Sequence, residues 1–160
     1  MLVQAEKLYE LNSTAITVAR DHGLLIRAGF VVGHLGMTRR LLRENVERIL
    51  ALITEGGSRG VFSAVDVEVL SPQPGARDYT YLTTPAAART AAARLGLHVA
   101  DDDVLTEVAE RWDSRDVVPP EDAMRDYARA LMPELEFEEL AEARTAIRAH
   151  AKACGVVIGE

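Results

Sequence analysis

Basic side chains gather at the start of one amphipathic segment, MTRRLLRENVERILALITEG, where they could bind phosphate. The segment has helical spacing, with Thr38 as its predicted N-cap and Arg39 and Arg40 in the first turn. Amide groups and side chains at a helix N-terminus can reach phosphate oxygens or base edges. Arginine suits this chemistry because its planar guanidinium binds phosphate and guanine through two parallel hydrogen bonds. This helix is the best candidate for a contact with nucleic acid.

The same helix also fits an ordinary solvent-exposed face. Arg40 with Glu44, and Arg43 with Glu47, lie four residues apart, the spacing at which opposite charges pair along a helix. Glutamates at these positions would also repel phosphate. The charge pattern therefore leaves both interpretations open, a nucleic-acid contact and a mixed-charge surface.

The other residues with ligand chemistry do not form a recognisable set. His150 and Cys154 lie four apart and could face one metal ion, with Glu142 on the preceding turns, but two ligands do not make a site. The run 101–103 is better explained as a helix cap than as a cation site. No spacing suggests a nucleophile with its base or a pair of catalytic carboxylates. We expect neither a metal, nor a cofactor, nor an enzyme activity.

Composition indicates a globular chain of 160 residues, 48% hydrophobic and 27% charged. No apolar run approaches the ~20 residues that span a bilayer, and the start, MLVQAEKLYE, has no secretory signal pattern. A single cysteine fits a reducing cytosol, so we expect a cytoplasmic protein. The net charge of −7 is uneven, since residues 1–60 carry eight basic and six acidic side chains and residues 61–160 carry ten and nineteen. This asymmetry permits phosphate binding by the first part of the chain.

Three helices are predicted before the first strand. Apolar residues recur at helical spacing from about residue 5 to 22, and the first helix is expected to end at Gly23. These apolar residues are Leu8, Leu11, Ala15, Ile16 and Ala19. Residues 25–34 form a short second helix or, because of the β-branched run around 28–33, a strand. A tight turn at 34–36 then leads into the third helix, 38–54.

A β-hairpin is the next predicted element. Residues 60–70 alternate apolar and charged side chains, and Arg77 to Leu82 alternates again after a Pro/Gly-rich turn at 71–75. Beyond Thr84 the pattern is helical. One helix is predicted to end at Gly96, the next to begin at its cap Asp101, and a long last helix to run from 135 to 154. The predicted fold class is mainly α with a β-hairpin, that is, α+β.

Three segments together resemble the winged helix-turn-helix domain of bacterial transcription regulators of the MarR and PadR groups. VVGHLGMTRRLLRENVERI resembles the second helix, turn and recognition helix, and ITEGGSRGVF resembles the link into the wing. DYTYLTTPAAARTA resembles the returning wing strand and the helix after it. The resemblance covers about residues 5–95. It implies a winged-helix domain over 1–95 and a helical dimerisation or effector region over 96–160.

The resemblance implies a homodimeric, DNA-binding transcription regulator. Its expected partners are double-stranded DNA, a second copy of the chain and a small-molecule effector, without a membrane or a cofactor. It assigns the base and phosphate contacts to six residues, with Asn45 at the edge of the major groove and Arg77 on a backbone phosphate. The six are Thr38, Arg39, Arg40, Arg43, Asn45 and Arg77.

Two alternatives of other classes stay open. The first is a helical protein-interaction or accessory module that binds no nucleic acid, which a mixed-charge third helix would favour. The second is a small-molecule-binding enzyme subunit, which would require a sizeable pocket lined by Trp112, Tyr127 or the histidines.

Overall fold

Helices dominate the computed structural model, which describes the backbone of residues 2–113 and 120–159 and the side chains of residues 7–112 and 121–159. The described elements are mainly helical with a small sheet, which confirms the predicted α+β class. In chain order they are α1 (Leu2–Asp21), β1 (Ile26–Val32), α2 (Arg39–Ser58), β2 (Phe62–Val69), α3 (Arg77–Thr83), α4 (Pro85–Leu95), α5 (Asp102–Asp113), α6 (Pro120–Leu131) and α7 (Phe137–Ala153).

The chain divides into two units, each assembled from segments that are distant in sequence. The boundary predicted between residues 95 and 96 falls inside unit 2. Unit 1 comprises Met1–Val32, Arg43–Glu68 and Glu142–Glu160, and unit 2 comprises Gly33–Leu42 and Val69–Ala141.

The sheet pairs β1 with β2 in parallel, and α2 makes the connection between them. Parallel neighbours need such a crossover because the chain must return to the same end of the sheet. Val65, Val67 and Val69 of β2 are buried while Glu68 is exposed, as the alternation predicts. The first strand of the predicted hairpin is therefore confirmed.

The second strand of the predicted hairpin is wrong, because Arg77–Thr83 is the helix α3. The side chains of this segment instead contact the rest of unit 2 at the spacing of a helix. Asp78 accepts a hydrogen bond from Tyr127, Tyr79 lies edge-on to Trp112, and Leu82 is buried. A helix places positions 78, 79 and 82 on one side, whereas a strand would split them between two faces. Packing of α3 against α4, α5 and α6 therefore overrides the local β propensity.

Residues 26–32 form β1, so of the two alternatives for this segment the strand is correct, and the short second helix of the predicted helix-turn-helix is wrong. The strand alternates: Ile26 and Phe30 pack against the core of unit 1, while Arg27 and Val31 are exposed. The Ile26 N–H donates to the Val61 carbonyl at 2.8 Å, which gives the strand a partner that a helix would not need. The β-branched residues at 31–32 therefore adopt the strand conformation that their side chains favour.

The C-terminal segment adds a third extended piece to the sheet of unit 1. It runs parallel to β2 through a bridge between Val65 and Ile158. The Val65 N–H donates to the Val157 carbonyl at 2.8 Å, and the Gly159 N–H donates to the Val65 carbonyl at 3.0 Å. Strand β2 is therefore central, with β1 on one side and residues 157–159 on the other.

The inner face of α1 builds one core of unit 1. Ile16 and Ala19 are buried with Leu52 of α2 and Val61, and partly buried aromatic rings pack around them. The Ser13 hydroxyl donates to the Glu55 carboxylate at 2.8 Å, which ties α1 to α2 a second time. One side of α1 is thus committed to the interior of its own unit.

Most predicted helix ends are confirmed, because they depend on local chemistry. Gly23 and Gly96 both have φ of 64° just after a helix, the left-handed conformation that favours glycine. The Thr38 hydroxyl accepts a hydrogen bond from the Leu41 N–H at 3.2 Å, and the Asp101 carboxylate accepts one from Val104 at 3.0 Å. Both are N-caps of the helices predicted to follow them.

Candidate interaction surface

The outer side of α1 carries an apolar stripe that nothing in its own unit covers. The stripe comprises Leu8, Leu11, Ala15 and Val18, all exposed, with 60%, 55% and 48% exposure at the three larger side chains in that order. The helical pattern in the sequence grouped Leu8, Leu11 and Ala15 with Ile16 and Ala19 and did not include Val18. In the structure α1 has two apolar faces, of which only the one with Ile16 packs inward. The 3–4–3 spacing was the sequence signal for a second apolar face, although spacing does not show which face is buried.

Exposed large apolar side chains are concentrated in unit 1. Among the residues whose side chains the structure describes, seven of the eight belong to this unit and one, Leu95, belongs to unit 2. Singly scattered apolar side chains are normal on a protein surface, whereas a concentration of them marks an interaction site. The seven are Leu8, Leu11, Val18, Leu24, Leu25, Val31 and Val157.

Two of the predicted DNA-contacting residues are engaged within unit 2. The Thr38 hydroxyl is the N-cap of α2, and Arg39 makes a two-pronged ion pair with Glu139, at 2.8 Å from Nε and 3.1 Å from Nη2. The Arg39 guanidinium lowers the pKa of the Glu139 carboxyl below its usual range. Both partners keep access to solvent, so a competing anion can still reach Arg39.

The remaining predicted contact residues lie at two helix starts. Arg40 and Arg43 are exposed on the first turns of α2, and Asn45 is half-buried behind them. Arg77 is exposed as the first residue of α3 rather than at the base of a wing. The exposed guanidiniums stand near helix N-termini, where the helix dipole also favours anions.

The structure brings the side chains of His150 and Cys154 together at the end of α7. The His150 Nε2 lies 3.6 Å from the Cys154 sulfur and 2.8 Å from the Thr54 hydroxyl. Thr54 donates its own proton to the Leu50 carbonyl, so Nε2 carries the proton that bonds to the threonine oxygen. Across the side chains described, no cluster of three or more His, Cys, Asp or Glu could hold a metal ion.

A cavity of about 530 Å³ in unit 2 is lined by arginines that already have carboxylate partners. Arg129 pairs with Glu107 at 2.6 and 2.8 Å, and Arg125 pairs with Glu121 and Glu138 while stacking on the Phe137 ring at 4.5 Å. Neither Trp112, Tyr127 nor a histidine lines this cavity. It therefore lacks the residues that the enzyme-subunit alternative requires.

The structure and the comparisons with known proteins add two further findings. Within the described residues, none of the helices is long and apolar enough to cross a membrane. Comparison of the chain with protein-family models, with curated proteins and with solved structures found no match.

Proposed function

We propose that this chain is a protein-interaction module that binds another polypeptide through the apolar surface of unit 1. The observation that carries the proposal is the placement of the exposed apolar side chains, seven in unit 1 against one in unit 2. Burying such side chains removes apolar area from water, which stabilises a complex by about 25 cal/mol per Å² of that area. The stripe on α1 is the most regular part of this surface, because four side chains repeat along one helix.

Site-directed photocrosslinking tests this proposal, with one matched control. A benzophenone amino acid replaces Val18 in one variant and Leu95 in another; these two side chains have nearly equal exposure, 48% and 46%. Upon irradiation in cells that naturally make the protein, we expect covalent polypeptide adducts from position 18 and few from position 95. Equal yields from both positions, or none from position 18, would contradict the proposal.

DNA binding is a second candidate function, favoured by the exposed guanidiniums of Arg40 and Arg43 on the first turns of α2. Residues 26–32 do not form the short helix of a winged helix-turn-helix domain, and residues 77–83 do not form its wing strand. This candidate therefore rests on α2 alone. A helix N-terminus with arginines can bind phosphate without a wing.

Fluorescence anisotropy with labelled double-stranded DNA tests the second candidate. We expect binding at low salt that weakens steeply towards ~200 mM, with a log–log slope that becomes shallower by about 0.9 for each phosphate that Arg40→Ala or Arg43→Ala leaves without its cation. Arg94→Ala, at an exposed arginine of α4, is the control and should leave the slope unchanged. Glu139→Gln releases Arg39 from its pair and should tighten binding. Absence of binding at low salt would rule this candidate out.

A further inference from the structure

The stripe on α1 has the spacing of a helix-pairing seam. Leu8, Leu11, Ala15 and Val18 fall at intervals of 3, 4 and 3, which are successive a and d positions of a heptad. The neighbouring face, with Ile16 at 3% exposure, is already packed inside unit 1. The second apolar seam of α1 faces solvent. The element that fits a seam of this shape is another helix whose apolar side chains have similar spacing.

The stripe is complementary to itself in the antiparallel orientation. Around a two-fold axis midway between positions 11 and 15, Leu8 faces Val18 of the second copy, and Leu11 faces Ala15 of the second copy. Each layer then combines a larger with a smaller side chain, which lets the layers interdigitate. A two-fold axis makes both halves of such an interface identical, as in most homodimers.

The charges beside the stripe favour the same orientation. Lys7 and Asp21 flank the seam on one side, at its two ends, and both are exposed. Antiparallel pairing places the Lys7 ammonium near the Asp21 carboxylate of the second copy, whereas parallel pairing places Lys7 beside the uncharged Asn12 of the second copy. The flanks of the seam hold charges of both signs, so an anionic membrane surface has little to attract it there.

We infer that the partner bound by the α1 stripe is a second copy of this chain, with the two α1 helices packed antiparallel about a two-fold axis. This inference rests on the proposed function and names its partner. It places the dimer contact in unit 1, whereas the sequence pattern suggested residues 96–160. The latter range contributes no exposed large apolar side chain from unit 2 among the side chains described, since Leu95 precedes it.

The expected affinity follows from the size of the seam. Four side chains per helix cover about 15 Å of helix length and bury less than the ~800 Å² per partner of a standard stable interface. The exposed Leu24 and Leu25, directly after α1, add apolar area. We therefore expect reversible dimerisation with a dissociation constant on the order of 10 μM.

Sedimentation equilibrium of the full chain measures the association. The wild type should shift from monomer to dimer across roughly 1–200 μM, as this dissociation constant requires. Leu11→Lys should remain monomeric throughout, and the helix content measured by circular dichroism should be unchanged because position 11 is 55% exposed. Leu95→Lys is the matched control in unit 2 and should dimerise as the wild type does. Val18→Gln provides a second variant that should weaken association about a hundredfold, about tenfold for each of the two Val18 side chains that the two-fold axis places in the interface.

Cysteine crosslinking determines the orientation. In a Cys154→Ser background, Leu8→Cys chains are mixed with Val18→Cys chains and treated with a short bismaleimide. Antiparallel pairing predicts crosslinks between the two different variants, and parallel pairing predicts crosslinks within each variant. The latter result would overturn the proposed orientation.

Two further outcomes separate this inference from the proposed function. A wild type that stays monomeric at 200 μM, yet gives benzophenone adducts from position 18 with other polypeptides, would overturn the second copy and keep the interaction module. A monomeric wild type without any adduct would overturn both.

Discussion

Replacing Asp126 with alanine is expected to lower the free energy of unfolding by about 3 kcal/mol. Asp126 is only 5% exposed, and its carboxylate accepts hydrogen bonds from Arg111 Nη1 at 2.7 Å and from Trp112 Nε1 at 3.0 Å. Without it the indole N–H is left buried and unpaired, which costs about 1–3 kcal/mol. Arg111 keeps its pair with Glu107 and partial access to solvent, so the loss falls at the low end for a broken buried ion pair.

Urea denaturation followed by tryptophan emission measures this loss directly. Trp112 is the only tryptophan in the chain, and it donates to the carboxylate that is removed. Asp126→Asn is the control, because the amide oxygen can still accept from the indole while the negative charge is removed. We expect this variant to lose about half as much stability, since one of the two hydrogen bonds to the side chain remains. A loss below ~1 kcal/mol for the alanine variant would contradict the role given to this carboxylate.

Replacing Gly36 with alanine is the second substitution with a large expected effect, a loss of about 3 kcal/mol. Gly36 has φ of 68°, and its N–H donates to the Leu131 carbonyl at 2.7 Å. A Cβ there would lie 2.6 Å from the Cβ of Leu97, an atom fixed by the backbone rather than a movable side-chain end. Leu97 cannot easily retreat, because its N–H is bonded to the Ala92 carbonyl at 2.9 Å.

Gly96→Ala separates the two causes of this loss. Gly96 has nearly the same φ, 64°, but a Cβ there would meet nothing within 4 Å. It should therefore lose only the ~1 kcal/mol of left-handed strain. Thermal and urea unfolding of both variants give the difference, which is the cost of the clash with Leu97. Equal losses in the two variants would show that the turn at position 36 relieves the clash with Leu97 at no cost.

The sequence predicted helix ends and the central strand well, because both depend on neighbouring residues. Glycine in the left-handed region ends α1 at Gly23 and α4 at Gly96, as steric rules require. The cap residue Thr38 satisfies a backbone N–H three residues away, so its role follows from local chemistry. The alternation of apolar and charged residues was sufficient to predict β2, because the two faces of this strand differ in burial.

The structure of residues 26–32, which the sequence left open between helix and strand, and of residues 77–83, which it predicted as a strand, depended on contacts from elsewhere in the chain. Residues 26–32 became a strand because a parallel neighbour receives their hydrogen bonds, and residues 77–83 became a helix because Tyr127 and Trp112 lie against one side of it. The signals for a short helix and for a wing strand were therefore local preferences that packing reversed.

Sequence by itself therefore determined that Thr38, Arg39, Arg40 and Arg43 stand at the start of a capped helix, since a cap acts over three or four residues. Only the tertiary structure decided what those arginines meet: Arg39 pairs with a carboxylate 100 residues further along the chain. It also decided which apolar positions of α1 are covered, because burial depends on the elements that pack against a helix. Helical spacing alone cannot distinguish a face that meets the core from one that meets solvent.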